Sequence, residues 1–152
     1  MVQLQLWLKI EMKLPSNIKI KSGLWNLIPW ISNKTAQAIY PNIYIPQSMY
    51  QKLISTSPDV WSVARLIHEQ EHIRRQRRVG FLVWALKYIF SKSFRYEEEI
   101  SADIPKFKFI KKKGLDPYIE IRAKQLSGWL YFWPVPYKEV KCRLETIWNN
   151  LD

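Results

Sequence analysis

Residues 68–72 read His68-Glu69-Gln70-Glu71-His72, and these are the only two histidines in the chain. On an α-helix, positions i and i+4 stand one above the other on the same face. Two imidazoles at that spacing can close on one metal ion, with the intervening glutamate beside it. This H-E-x-x-H pattern is the one zinc hydrolases use, with the glutamate as base toward a water. A catalytic zinc takes three protein ligands and keeps one position open. With no third histidine available, the remaining ligand must be acidic or the single cysteine, Cys142.

The flanking residues predict the helix that this argument needs. Ser57-Pro58-Asp59 is a start signal, with serine as N-cap, proline at the first helical position and an acid in the first turn. Gly80 is a stop. The helix should run from about 58 to about 79, with Trp61, Ala64, Ile67 or His68, and Glu71 or His72 recurring along it. Ile67 and Ile73 beside the histidines predict a partly buried face.

The best third ligand lies in Glu97-Glu98-Glu99-Ile100-Ser101-Ala102-Asp103. Glu99 and Asp103 repeat the i, i+4 spacing. Glu99 can bind the metal while Asp103 accepts a hydrogen bond from a ligand imidazole and fixes its tautomer. A slip of one residue would make Glu98 the ligand instead. Helical angle also leaves Glu69 and Glu71 about equally placed beside the histidine face. Glu71 has an ordinary alternative as partner of Arg74 or Arg75.

HEQEH followed by Glu99, 27 residues after His72, and the ending Ala102-Asp103 resemble the gluzincin zinc metallopeptidases. The size of the chain is similar to the minimal soluble members, the minigluzincins. The stretch HEQEHIRRQRRVGF also resembles small proteins with this motif encoded by bacteriophages and bacteria. The resemblance covers about residues 57 to 104. It implies Zn2+ held by His68, His72 and Glu99, Glu69 as general base and proton shuttle, and Asp103 on an imidazole, that of His68. It implies a protein or peptide substrate held along a sheet edge near Thr35 to Pro46.

The rest of the chain bounds the reading. At 152 residues the chain is most simply one domain, with a sheet-rich part (1–56), metal-binding helices (57–114) and a C-terminal helical part (115–152). A hydrophobic share of 47% is enough for a core and argues against wholesale disorder. One cysteine excludes a disulfide framework and a cysteine-based zinc ribbon. The start of the chain, MVQLQLWLKIEMKLP, alternates and is charged, unlike a signal peptide. The longest apolar stretch, Phe81 to Phe90, contains Lys87 and is too short to span a bilayer. The chain therefore reads as cytoplasmic or virion-associated.

Alternation over Leu4 to Lys13, and briefly over Ile18 to Lys21, predicts strands. Leu24 to Ile31 is ambiguous. Thr35 to Pro46 contains Pro41, which favours an edge strand. Further helices are expected over Phe81 to about Ser91, apolar on most sides and so packed on both, and from Ser93 or Phe94 toward Lys113, with Pro105 kinking or interrupting it. Two more cover Tyr118 to Leu126 and Tyr137 to Asn150. The expected class is α+β: a small, mostly antiparallel N-terminal sheet packed on a helical zincin core.

A net charge of +11 is concentrated in Arg74-Arg78 and Lys106-Lys113. Both clusters can contact an anionic partner. Equally, basic residues before Gly80 and Gly114 complement the helix dipole. A non-catalytic alternative follows: a basic protein, with eight tryptophans, that binds nucleic acid or a phage assembly and uses zinc only to fold. A minor third reading is an interfacial membrane protein built on residues 81–95. Candidates for stabilising an oxyanion are Tyr96, Tyr118 and Tyr137, which the sequence does not separate.

Overall fold

The computed structural model describes residues 14–23, 35–128, 132 and 135–151. The strand expected over Leu4 to Lys13 and the segment Leu24 to Ile31 lie outside the described residues. The elements are β1 (Ile18–Ile20), β2 (Gln37–Ile39), β3 (Asn42–Ile45), α1 (Gln47–Ile54), α2 (Val60–Val79), α3 (Phe81–Phe90), α4 (Lys92–Lys112), α5 (Ile119–Leu126) and α6 (Tyr137–Asn149). The class is α+β.

The stretch Thr35 to Pro46, expected as one edge strand, is two strands. It turns at Tyr40-Pro41, where the peptide bond is cis. Proline has no N–H to give a ladder, and in the turn it interrupts none. Among the described strands the order is β1-β3-β2, so β3 is central and β1 and β2 are the two edges. β1 runs parallel to β3, with Ile18 opposite Ile43. β2 runs antiparallel, with Ala38 opposite Ile43. The described sheet is thus mixed, not mostly antiparallel. Alternation shows that β1 is a strand but carries no information about its direction, which depends on how the chain returns to the sheet.

Ile43 and Ile45 are fully buried, and they pack with Met49 and Leu53 of α1 and Val63 and Leu66 of α2. Helix α1 was not foreseen from the sequence. It starts directly after Pro46 and buries Met49 and Leu53 at i, i+4. On the other side of α2, Ala64 joins Ile100, Phe107 and Ile110 of α4, Ala123 and Leu126 of α5, and Val140 and Leu144 of α6. Helix α2 therefore lies between a sheet layer and a helical layer. Burial on both sides explains how polar residues on it are enclosed.

Helix α2 begins two residues later than expected. Asp59, not Ser57, is the N-cap: its carboxylate accepts from the Ser62 amide at 2.8 Å and the Ser62 hydroxyl at 2.7 Å. That satisfies the N3 donor. Gly80, at φ 90°, ends the helix in a conformation that side chains disfavour. Trp61 is an exposed residue whose ring lies tilted against Tyr118, with ring centroids 5.2 Å apart.

Helix α3 is packed on one side only. Trp84 is its single buried residue, whereas Leu82, Val83, Leu86, Ile89 and Phe90 are exposed. Helix α4 runs through Pro105 without a break. An interior proline costs about 3 kcal/mol. Full burial of Phe107 and Ile110 just beyond it offsets that cost. Among the described residues no helix is long and apolar enough to cross a membrane.

Candidate metal centre

His68 and His72, one turn apart on α2, bring their Nε2 atoms to 3.1 Å from each other. Helix α4 packs along α2 and presents Glu99, whose Oε2 is 3.4 Å from His68 Nε2 and whose Oε1 is 3.4 Å from His72 Nε2. All three residues are buried, and together they can hold a metal ion. Tetrahedral bonds of about 2.0–2.1 Å place ligand atoms about 3.3–3.4 Å apart. The observed separations are close to one face of that tetrahedron. Two facing nitrogen lone pairs and a carboxylate at these distances call for a cation between them, whether a proton or a metal.

Adjacent glutamates on α4 have separate partners. Glu97 forms a fork with Arg143, at 2.6 Å on both oxygens. Glu98 takes a fork from Arg75, at 2.9 and 2.6 Å, and a bond from Trp84 Nε1 at 2.8 Å. Of these three glutamates, Glu99 is the one that faces the histidines and joins the group that could hold a metal ion. Glu71 is engaged by Arg74 at 2.8 and 2.5 Å, on the exposed side of α2.

Charged and hydrogen-bonding side chains hold the carboxylates from behind. Asp103 Oδ1 lies 3.0 Å from His68 Nδ1. This fixes the proton on Nδ1 and turns the Nε2 lone pair toward the cluster. Lys106 donates to Asp103 Oδ1 at 3.0 Å. Arg122 of α5 spans both acids, giving Nε to Asp103 at 2.5 Å and a second nitrogen to Glu99 Oε2 at 2.9 Å. Tyr88 of α3 donates to Glu99 Oε1 at 2.6 Å. Among the described residues, Tyr88 is the tyrosine bonded to the cluster; Tyr96 is buried in the helical core, Tyr137 packs against that core, and the Tyr118 ring lies tilted against Trp61.

The electrostatics follow from this packing. Burial disfavours a charged His68, but its bonds to Asp103 and Glu99 prevail and hold its pKa up at about 9. Burial also works against ionised Glu99 and Asp103. The nearby imidazoles for Glu99, and Arg122 and Lys106 for Asp103, nevertheless hold both carboxyls well below their usual range. Burial pushes Glu69 up, against the pull of His68 and His72. Lys21, just past β1, is lowered to about 8 by burial, against the attraction of Glu69. His72 Nδ1 is buried with no hydrogen-bond partner among the described residues.

Edge strand β2 is tied to the same helix. Gln76, fully buried and one turn beyond His72, donates to Ala38 O at 2.9 Å and accepts from Tyr40 N at 2.8 Å. At the other end of β2, Lys21 donates to Thr35 O at 2.6 Å. Strand β2 thus lies against α2, held there by Gln76. A groove of about 260 Å³ between α1 and the first turns of α2 is lined by Met49, Lys52, Trp61 and Arg65, and holds none of the cluster residues.

Arg122, Lys106, Tyr88 and Gln76 were not foreseen. Lys106 stands at i+3 from Asp103, and Gln76 at i+4 from His72, so both had a local signal. Arg122 and Tyr88 reach the site only through tertiary packing. The basic clusters are partly absorbed by the fold: Arg74, Arg75 and Lys106 pair with acids, and Lys111 donates to the carbonyls of Trp148 and Leu151. Comparison with family models, curated proteins and solved structures finds no match to this chain.

Proposed function

We propose that the chain is a zinc-dependent metallopeptidase of the gluzincin kind. His68, His72 and Glu99 would hold the metal, and Glu69 would act as general base. One observation carries this reading: the only two histidines of the chain converge with Glu99 at ligand separations, and Glu69 is buried beside them. The donor set of two imidazoles and one carboxylate suits zinc in a hydrolytic site with an open position. When bound there, zinc supplies Lewis acidity toward a carbonyl and toward water.

The residues do the rest. Arg122 and Lys106 keep Asp103 anionic, and Asp103 fixes the tautomer of His68. Arg122 and Tyr88 orient the Glu99 carboxylate from its two oxygens. Glu69, raised by burial, is a stronger base than an exposed glutamate. It receives a proton from water and returns it to the leaving amine. An extended peptide would lie along β2, although Gln76 already occupies the edge groups at Ala38 and Tyr40. Backbone pairing would then fall toward the Thr35 end of the strand, where Lys21, which feels the charge of Glu69, is anchored.

The test is Glu69→Gln. The variant should fold and bind zinc like wild type and lose cleavage of an unstructured protein substrate by at least about 100-fold. Wild-type turnover in the variant would remove Glu69 from the mechanism. Zinc binding with no cleavage by either protein would favour a metal that serves folding.

A further inference from the structure

The outer face of α3 is built for something other than water. Leu82, Leu86, Ile89 and Phe90 are 75%, 59%, 63% and 81% exposed, and Val83 adds to them. In a helix of ten residues these positions, i, i+1, i+4, i+7 and i+8, form one continuous stripe. Single exposed apolar residues are ordinary, but a contiguous stripe of large ones marks an interaction surface. The opposite face of the same helix turns Trp84 and Tyr88 toward Glu98 and Glu99.

We propose that this face of α3 docks on an anionic lipid surface. The charge around it selects that partner. From Ile73 to Tyr96 the chain has no acidic residue, while Arg77, Arg78, Lys87 and Lys92 are exposed before, within and after α3. Aliphatic side chains enter the boundary between headgroups and acyl chains, and Arg and Lys meet the lipid phosphates. Nucleic acid offers the same phosphates but no place for leucine and isoleucine. A second copy paired through the same stripe would bring two sets of like charges together. Lipid satisfies both halves of the surface. Since one helix diameter is about 10 Å, docking holds the metal cluster close to the membrane plane.

The test uses the full chain with zinc and does not depend on peptidase activity. Co-sedimentation is measured with vesicles of phosphatidylcholine alone and with phosphatidylglycerol added, at low and high salt. Wild type should sediment with the anionic vesicles and be released by salt. Leu86→Ser/Phe90→Ser, changed only at exposed positions, should keep its circular dichroism and zinc content while its partitioning falls at least about tenfold. Wild type left in the supernatant would overturn the proposal. So would a variant that binds like wild type, which would assign attachment to the cations alone. A wild-type dimer in light scattering that the substitutions dissolve would also overturn it, making the face a self-interface.

Discussion

Nδ1 of His68 on α2 lies 3.0 Å from Oδ1 of Asp103 on α4, and both residues are buried. That bond decides which nitrogen of His68 is available to a metal. It also explains why so much positive charge is gathered behind it, because Asp103 orients the ring only while it stays ionised. Replacing Asp103 with Asn keeps the shape and removes the charge. Zinc affinity, measured by competition with a chromophoric chelator, should fall about 10–100-fold. Unchanged affinity would mean that Asp103 serves the fold alone.

Arg122 makes a different prediction because it touches both Glu99 and Asp103. Arg122→Met leaves two buried carboxylates without their common partner. The metal-free protein should lose about 3–5 kcal/mol in urea unfolding. The loss should shrink when zinc is bound, since the metal supplies positive charge at Glu99 and binds the folded state. An equal loss with and without zinc would separate Arg122 from the metal cluster.

The pH dependence has a definite sign. In the metal-free chain the pKa of His68 is raised from 6.5 to about 9. Its contribution to stability is therefore fully present below about 6.5 and is lost as pH rises through about 9. Asp103 and Glu99 are depressed, so their contribution is present above their ordinary values, 3.8 and 4.5, and is lost as pH falls below them. The shifts of His68 and Asp103 describe one ion pair and count once. Zinc must displace the His68 proton, so its affinity should rise from neutral pH to about 9 and then level off. Isothermal titration across that range, with proton release followed in buffers of different ionisation enthalpy, checks both statements.

The heart of the site was legible because its spacing is local. His68 and His72, and Glu99 and Asp103, each share a helical face at i, i+4, and the faces of a helix can be counted from sequence. The sequence favoured Glu99 over Glu98 through the resemblance; packing adds the physical reason, since Arg75 and Trp84 claim Glu98. Arg122 was hidden for the same reason: in IEIRAKQL an arginine reads as a surface residue until α5 is placed against α4. The N-cap shifted from Ser57 to Asp59 because two neighbouring capping residues compete, and the one whose carboxylate reaches the Ser62 amide prevails. Apolar composition could not reveal that α3 leaves its outer face uncovered, since a doubly packed helix and a half-exposed one have the same residue content.

The central claim is that His68, His72 and Glu99 hold one zinc ion. The most direct test is metal content by mass spectrometry on purified wild type, Glu99→Ala and Glu98→Ala. The account predicts about one zinc per wild-type chain. It predicts loss of zinc in Glu99→Ala and retention in a less stable Glu98→Ala. Wild type without zinc, or zinc that survives Glu99→Ala but not Glu98→Ala, would contradict it.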